Sequence, residues 1–193
     1  GLVNKDDEHA PQIIKAANCE LYTYSEESKE ADFVASDIRY VSQPDFVGTE
    51  FHISGKYDME VRLGIPGLFN VVNALAAVSV CSFLGLDQAR ISHALENIRV
   101  NGRMEIVYTS ERCTVLVDYA HNAVSMESLL STLRDYKPKR LVCVFGCGGN
   151  RSKDRRYSMG EIGGKMADLS IITADNSRYE KVEDIIADIR GSI

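Results

Sequence analysis

The sequence predicts an α/β fold whose second half is built on a parallel sheet, and three observations carry that reading. Three short β-branched and apolar runs, 114–117, 141–145 and 170–173, are each followed by a segment of helical periodicity. Consecutive β-α units of this kind require right-handed crossovers and align their strands in parallel. All three runs end in polar or glycine-rich text: Asp118-Tyr119-Ala120-His121-Asn122, Gly146-Cys147-Gly148-Gly149-Asn150-Arg151 and Asp175-Asn176-Ser177-Arg178. The first hundred residues read differently, as short extended pieces followed by one long apolar helix. A boundary is therefore expected near Asn101 to Met104, dividing the chain into residues 1–101 and 102–193.

Taken in order, Leu2-Val3 reads as the end of a strand, and the acidic run from Asp6 opens a helix through Ile13, Ile14, Ala16 and Ala17. Acidic residues in a first turn suit the helix dipole. Extended segments follow at 20–24, 33–40, 49–54 and 59–65. In the last, Met59, Val61, Leu63 and Ile65 alternate with polar or small residues, the mark of a half-buried strand, with a hairpin turn at 55–58 before it. Pro66-Gly67 breaks the chain, and a helix over about 70–84 stops at Gly85. Asp87 is the expected N-cap of the next, over 87–98. Beyond the boundary, helices are expected near 125–136, 158–167 and from Val182 to Ile189.

Composition narrows the function. The chain has 193 residues, 45% hydrophobic and 26% charged, with a net charge of −6, so neither disorder nor nucleic-acid binding by counterion release is expected. The apolar stretch 68–86 holds Asn70, Asn73, Ser79 and Ser82 and reads as a buried helix, not a membrane insertion. Five scattered cysteines suggest reduced thiols, and with no signal peptide the expected location is cytoplasmic. No second pair of ligands joins Cys143 and Cys147 to make a metal site. With no initiating Met and a stop soon after a helical pattern, both ends read as cuts through a larger protein.

The chemistry is expected at the carboxyl ends of the strands, where open α/β sheets bind ligands. Arg151 and Arg178 stand at adjacent strand ends, where two guanidinium groups clamp carboxylates or phosphates at about 1.5–3 kcal/mol per charged hydrogen bond. The plainer alternative pairs them with Asp154 or Glu180 on the surface. Asp175 and Asn176 can hydrogen-bond an amine, so this loop suits a zwitterionic amino acid, or else forms an Asx-type turn. Asp118 and His121 are an acid–base pair, a ribose clamp, a metal fragment, or a capped helix start. Asn70 and Asn73, three apart, can face one ligand, although N-capping explains Asn70 as well. Arg103 and Glu105 lie at the domain joint, where an interdomain salt bridge would account for them. The glycine loop lacks a third Gly at position 151 for a dinucleotide fingerprint, and Met166 stands where a P-loop needs Ser or Thr after Gly163-Gly164-Lys165. No Ser or Cys completes a catalytic triad, so no residue is singled out as catalytic.

Six motifs in order complete the reading: Asn4-Lys5-Asp6-Asp7, Gly67-x-Phe69-Asn70-x-x-Asn73, Gly102-Arg103-x-Glu105, Asp118-Tyr119-Ala120-His121, Val144-Phe145-Gly146-Cys147-Gly148-Gly149-x-Arg151 and Asp175-Asn176-x-Arg178. The set resembles the Mur ligases, in particular the MurE type that adds the third residue of the peptidoglycan stem peptide. The resemblance implies the end of a central ATPase domain followed by part of a Rossmann-like C-terminal domain. It implies an ATP-dependent amide ligase of cell wall synthesis, using Mg2+, with UDP-N-acetylmuramoyl-L-alanyl-D-glutamate and meso-diaminopimelate as partners. The D-glutamate carboxylate would become an acyl phosphate and the incoming amine would displace phosphate, chemistry served by positioning and charge neutralisation.

By the same resemblance Asn70 and Asn73 lie near adenine, Arg103 near the phosphates, Asp118 on the ribose and His121 close by. Arg151, Asp175, Asn176, Ser177 and Arg178 hold the amino acid, and Arg178 selects diaminopimelate because its second carboxylate needs a cation. Three departures bear on loop geometry: Ser177 for the usual Pro, Asn122-Ala123 for Thr-Pro, and Tyr157-Ser158 where Pro precedes Met-Gly. With the P-loop absent, the piece alone is expected to be inactive. None of the motifs specifies an oligomeric state. The alternatives are a lysine-adding, folylpolyglutamate or cyanophycin-type ligase, and a non-catalytic amino-acid or nucleotide binding module; a nicotinamide oxidoreductase is disfavoured by the glycine pattern.

Overall fold

A computed structural model describes residues 1–43 and 45–193. The chain divides into two compact units, Gly1–Asp118 and Tyr119–Ile193.

The first unit holds a five-stranded sheet in sequence order: β1 (Leu2–Asn4), β2 (Tyr22–Ser25), β3 (Phe33–Ser42), β4 (Val47–Gly55) and β5 (Met59–Leu63). The first three strands are parallel, and β3, β4 and β5 are antiparallel. Period-2 alternation places Phe33, Ala35, Phe51, Ile53, Val61 and Leu63 on one buried face. Helices α2 (Leu68–Phe83) and α3 (Gln88–Asn97) cover it with Val71, Leu75, Val78, Ile91 and Leu95. The long apolar stretch is thus one helix with a buried inner face.

Both expected punctuation marks are present. Gly85 adopts φ +69°, its N–H donating to the Ser82 carbonyl and that of Leu86 to Cys81. This Schellman closure needs a left-handed residue at that position. The Asp87 carboxylate accepts the Arg90 N–H at 3.2 Å.

Helix α1 (Ala10–Ala16) begins later than the acidic run suggests, with Pro11 in its first turn. Asp6 stays outside it because its carboxylate accepts hydrogen bonds from the Ser25 hydroxyl and the Glu26 N–H at the end of β2. A second departure concerns β7 (Thr114–Val117), which pairs antiparallel with β6 (Glu105–Thr109), a strand the sequence pattern did not reveal. The Ser110 N–H bonds the Cys113 carbonyl at 2.9 Å, closing a local hairpin that captures β7. The parallel pairing is therefore carried by β8 (Val142–Phe145) and β9 (Leu169–Ile172).

In the second unit, α4 (Ala123–Asp135), α5 (Asp154–Met166) and α6 (Val182–Arg190) pack with β8 and β9. Met126, Leu130, Leu141, Met159, Ile185 and Ile189 form its core. The Gly163-Gly164-Lys165 run lies inside α5, where a Cβ at Gly163 would press against the Phe145 ring at 3.0 Å. Those glycines serve packing. All five cysteines are free.

Candidate functional site

The candidate residues are distributed over both units. In the first, Asn70 and Asn73 lie on the opening turns of α2, whose N-cap is Gly67. Asn70 is therefore not the cap. Its Nδ2 donates to the Pro66 carbonyl at 2.6 Å and its Oδ1 lies 3.5 Å from the Asn73 Nδ2, so the two amides share one face.

Arg103 lies in a tight turn that the side chain of Asp118, directly after β7, fastens. The Asp118 Oδ2 accepts the Met104 N–H at 2.9 Å, and the Glu105 Oε2 accepts the Gly102 N–H at 2.6 Å. Glu105 thus folds this turn back on itself. Gly102 and Met104, on either side of Arg103, both have positive φ, at +68° and +46°. The tight turn exposes the Arg103 side chain.

In the second unit, His121 precedes α4 and is exposed, its Nδ1 lying 3.1 Å from the Tyr119 carbonyl. Behind it Asn122 and Ser125 form a reciprocal capping box, so Asn122 is the cap of this helix. The N-terminal ends of α4 and α5 line an open cleft of about 610 Å³ with Asn122, Ser125, Ser128, Asp154, Arg155 and Ser158.

The glycine loop after β8 and the Asp-Asn loop after β9 are brought together. The Gly149 N–H donates to the Asn176 carbonyl at 2.8 Å, and the Asn150 Oδ1 accepts the Tyr179 N–H at 3.2 Å. A Cβ at Gly149 would collide with the Ser177 carbonyl oxygen, and one at Gly146 with that of Thr173. Glycine is required there by backbone approach. Arg178 sits at φ +50°, a left-handed conformation uncommon for a residue with a side chain.

Arg151 and Arg178 are both exposed, and no carboxylate among the described residues forms an ion pair with either. The expected competitors are engaged elsewhere: Asp154 accepts from the Ser152 hydroxyl, and Glu180 pairs with Arg156 at 2.7 Å. Two guanidinium groups beside Asp175 and Asn176 make a donor and acceptor set fit for a zwitterion carrying an additional anionic group.

Sequence reasoning missed Arg156, which donates to the same Glu180 oxygen that accepts the Asn150 N–H. It is 1% exposed and ion-paired to Glu180 and Asp188. Its guanidinium, with the Asn150 N–H, holds the Glu180 carboxyl below the usual carboxylate range. The available signal was an Arg facing the acidic residues of the following segment, but its burial depends on how α5 meets α6. Burial pushes the Cys143 and Cys147 thiols up, opposed at Cys147 by Arg156 and Arg155. Thiols so protonated are poor nucleophiles.

The amide pair of Asn70 and Asn73 suits a heteroaromatic base, and Arg103 suits a phosphate by its charge. No group of three or more His, Cys, Asp or Glu among the described residues is arranged to hold a metal ion. A magnesium ion is commonly held through phosphate oxygens and water with few protein ligands.

Comparisons with known proteins find two domain models along the chain. A model of the Mur ligase middle domain matches residues 1–81, and one of the Mur ligase glutamate ligase domain matches residues 102–193. The UDP-N-acetylmuramoyl-L-alanyl-D-glutamate–2,6-diaminopimelate ligase of Alkaliphilus oremlandii is 40% identical over 100% of this chain and 39% of its own length. The ligase of the same name from Clostridioides difficile is 39% identical over 100% and 40%. A solved structure of such a ligase superposes with a TM-score of 0.73 at 32% identity, covering 100% of this chain and 40% of that one. Folylpolyglutamate synthase of Thermotoga maritima superposes at 0.78 with 19% identity, over 100% and 45%, which shows a shared fold. The chain thus spans about two fifths of the length of these relatives. Two domain models in tandem, with full-length coverage of this chain by relatives at 39–40% identity, show that the chain belongs to the Mur ligase family.

Proposed function

We propose that this chain is the later part of an ATP-dependent ligase that joins meso-diaminopimelate to UDP-N-acetylmuramoyl-L-alanyl-D-glutamate in cytoplasmic peptidoglycan synthesis. The observation that carries the reading is the pair of loops after β8 and β9, which present Arg151 and Arg178 without carboxylate partners. The names of the relatives agree with it. A domain boundary at 101/102 goes with the proposal, and the glutamate ligase model also begins at residue 102.

In this reading Arg151 and Arg178 bind the carboxylates of diaminopimelate, while Asp175, Asn176 and Ser177 receive and orient its ammonium groups. Arg178 grips the carboxylate of the distal centre, which lysine lacks. Asn70 and Asn73 contact adenine, Arg103 the nucleotide phosphates and Asp118 the ribose, with His121 nearby. ATP, with Mg2+, supplies the phosphoryl group that activates the D-glutamate carboxylate. The chain's own residues then hold the incoming amine against the acyl carbon and neutralise charge. Such a reaction needs no enzyme nucleophile.

The test is a ligation assay on the full-length enzyme with ATP, magnesium and the UDP-muramoyl dipeptide, supplying meso-diaminopimelate or L-lysine separately. Product with diaminopimelate alone is expected. Arg178→Ala should lower kcat/KM for diaminopimelate about ten- to hundred-fold, the equivalent of about 1.5–3 kcal/mol for a lost charged hydrogen bond. Product with lysine would retain the ligase and overturn the role of Arg178. No product with either amino acid would overturn the substrate assignment.

A further inference from the structure

Arg156 presents a problem of cost. It is one of the largest fully buried side chains of the described residues, at 1% exposure, and its Nε has no hydrogen-bond partner. Burying a guanidinium incurs a desolvation penalty that ion pairing offsets only with good geometry. A Met or Leu would fill the space between α5 and α6 without that penalty. What the charge holds is therefore informative.

Its Nη2 donates to the Glu180 Oε1 at 2.7 Å and its Nη1 to the Asp188 Oδ2 at 2.8 Å. The same Glu180 oxygen accepts the backbone N–H of Asn150, the residue before Arg151. The Glu180 N–H donates to the Ser177 carbonyl at 3.0 Å, closing the turn that contains Arg178. Asn150 returns the contact through its side-chain oxygen to the Tyr179 N–H, and it shares the left-handed backbone of Arg178, at φ +51°. One buried cation thus reaches, through one carboxylate, the backbone beside each exposed arginine. Asp188 is further held by Lys153 at 3.1 Å, anchoring the far side of Arg156 on α6.

We propose that Arg156, acting through Glu180, is a positioning residue that locks the Asp175–Arg178 loop to the Gly148–Arg151 loop and so sets the separation of Arg151 and Arg178 on which selection of a dicarboxylic amino acid depends. Neither Arg156 nor Glu180 needs to touch the substrate. The inference rests on the amino-acid reading of these loops given above. It adds to that reading the device which discriminates by distance: two strained turns are held in one register by a shared carboxylate.

The full-length enzyme, with Glu180→Gln, Arg156→Met and Arg156→Lys, provides the test. Glu180→Gln keeps an acceptor for the Asn150 N–H but removes the charge, and because Glu180 is partly exposed this variant tolerates the change if Arg156→Met does not fold. KM for diaminopimelate is expected to rise about ten-fold or more in Glu180→Gln and Arg156→Met, with KM for ATP and for the UDP-muramoyl dipeptide within two-fold. Arg156→Lys should recover most of the loss. Trapping the acyl phosphate with hydroxylamine, in the absence of amino acid, should give wild-type amounts of hydroxamate in every folded variant.

Hydrogen exchange separates this inference from the substrate assignment. Amides 176–180 and 149–150 should exchange faster in Glu180→Gln, with α4 unchanged. Unchanged exchange would overturn the positioning role whichever amino acid the enzyme uses. A parallel rise in all three KM values, or a matching loss of hydroxamate, would also overturn it. A wild-type enzyme that forms hydroxamate but no diaminopimelate product would instead remove the substrate assignment, leaving the exchange result to decide the clasp.

Discussion

Gly149 is where the backbone geometry of the loops is least forgiving. It is buried, it donates its N–H to the Asn176 carbonyl, and any Cβ there would collide with the Ser177 carbonyl. The obstacle is backbone, so a side-chain rotamer change cannot relieve it. Gly149→Ala should push the two loops apart. The expected result in the full-length enzyme is a rise in KM for diaminopimelate of about ten-fold or more, with KM for ATP unchanged. A variant with wild-type KM would show that the loops separate without consequence for binding. The glycine run was visible in the sequence, but the partner that excludes a side chain was not, because residue 177 is brought there by the β8–β9 pairing.

At the scale of elements, α4 is fastened to the start of β9 by a compact polar contact. The Arg134 guanidinium donates to both carboxylate oxygens of Asp168, at 3.0 and 3.1 Å, and to the Met166 carbonyl. Asp168 also accepts the Leu141 N–H at 2.6 Å. Arg134 and this N–H hold the Asp168 carboxyl below the usual carboxylate range. A depressed folded-state value stabilises the fold above the unfolded pKa, near 3.9, and the contribution is lost as pH falls through the folded value. Asp168→Asn should therefore lower the urea midpoint at pH 7 modestly, since the group is half exposed and screened. The difference from wild type should vanish once the pH has fallen below the folded-state value, where the carboxyl is protonated in both states. An equal deficit at all pH values would show that the contact acts through geometry and not charge.

The same scale shows why some elements were legible and others were not. α2 carries a long apolar pattern and its Gly85 stop, and α3 has Asp87 as its cap, all signals local to the chain. β6 lacked such a signal. Its residues Glu105–Thr109 become a strand by pairing with β7, which in turn removed β7 from the parallel arrangement that its β-α pattern suggested. α1 was displaced because Asp6 found its partners at the end of β2 and just beyond it, nineteen and twenty residues away along the chain.

At the scale of the whole molecule, the proposed function gives the nucleotide contacts to the first unit, with His121 of the second nearby, and the amino-acid contacts to the second unit alone. Asn70, Asn73, Arg103 and Asp118 lie in Gly1–Asp118, whereas His121, Arg151 and the 175–178 loop lie in Tyr119–Ile193. Asn73→Ala should then raise KM for ATP several-fold with KM for diaminopimelate unchanged, and Arg151→Ala should do the reverse. Steady-state kinetics with each substrate varied in turn checks this, and a shared response to both substitutions would contradict the division. No helix among the described residues is long and apolar enough to cross a membrane, in keeping with the mixed composition of α2.

The sequence by itself determined the α/β class, most helices, the Asp87 cap and the Gly85 stop, and the six ordered motifs, because these depend on local periodicity, turn chemistry and residue identity. Tertiary structure alone decided that β7 joins a hairpin, that Gly149 admits no side chain, and that Arg156 is buried beneath both loops. The hairpin is a local pairing without a periodicity signal of its own, whereas the other two features arise where segments distant in sequence meet, and the free energy of each contact belongs to the pair: Arg156 acquires its role only when Glu180 and Asp188 are brought against α5.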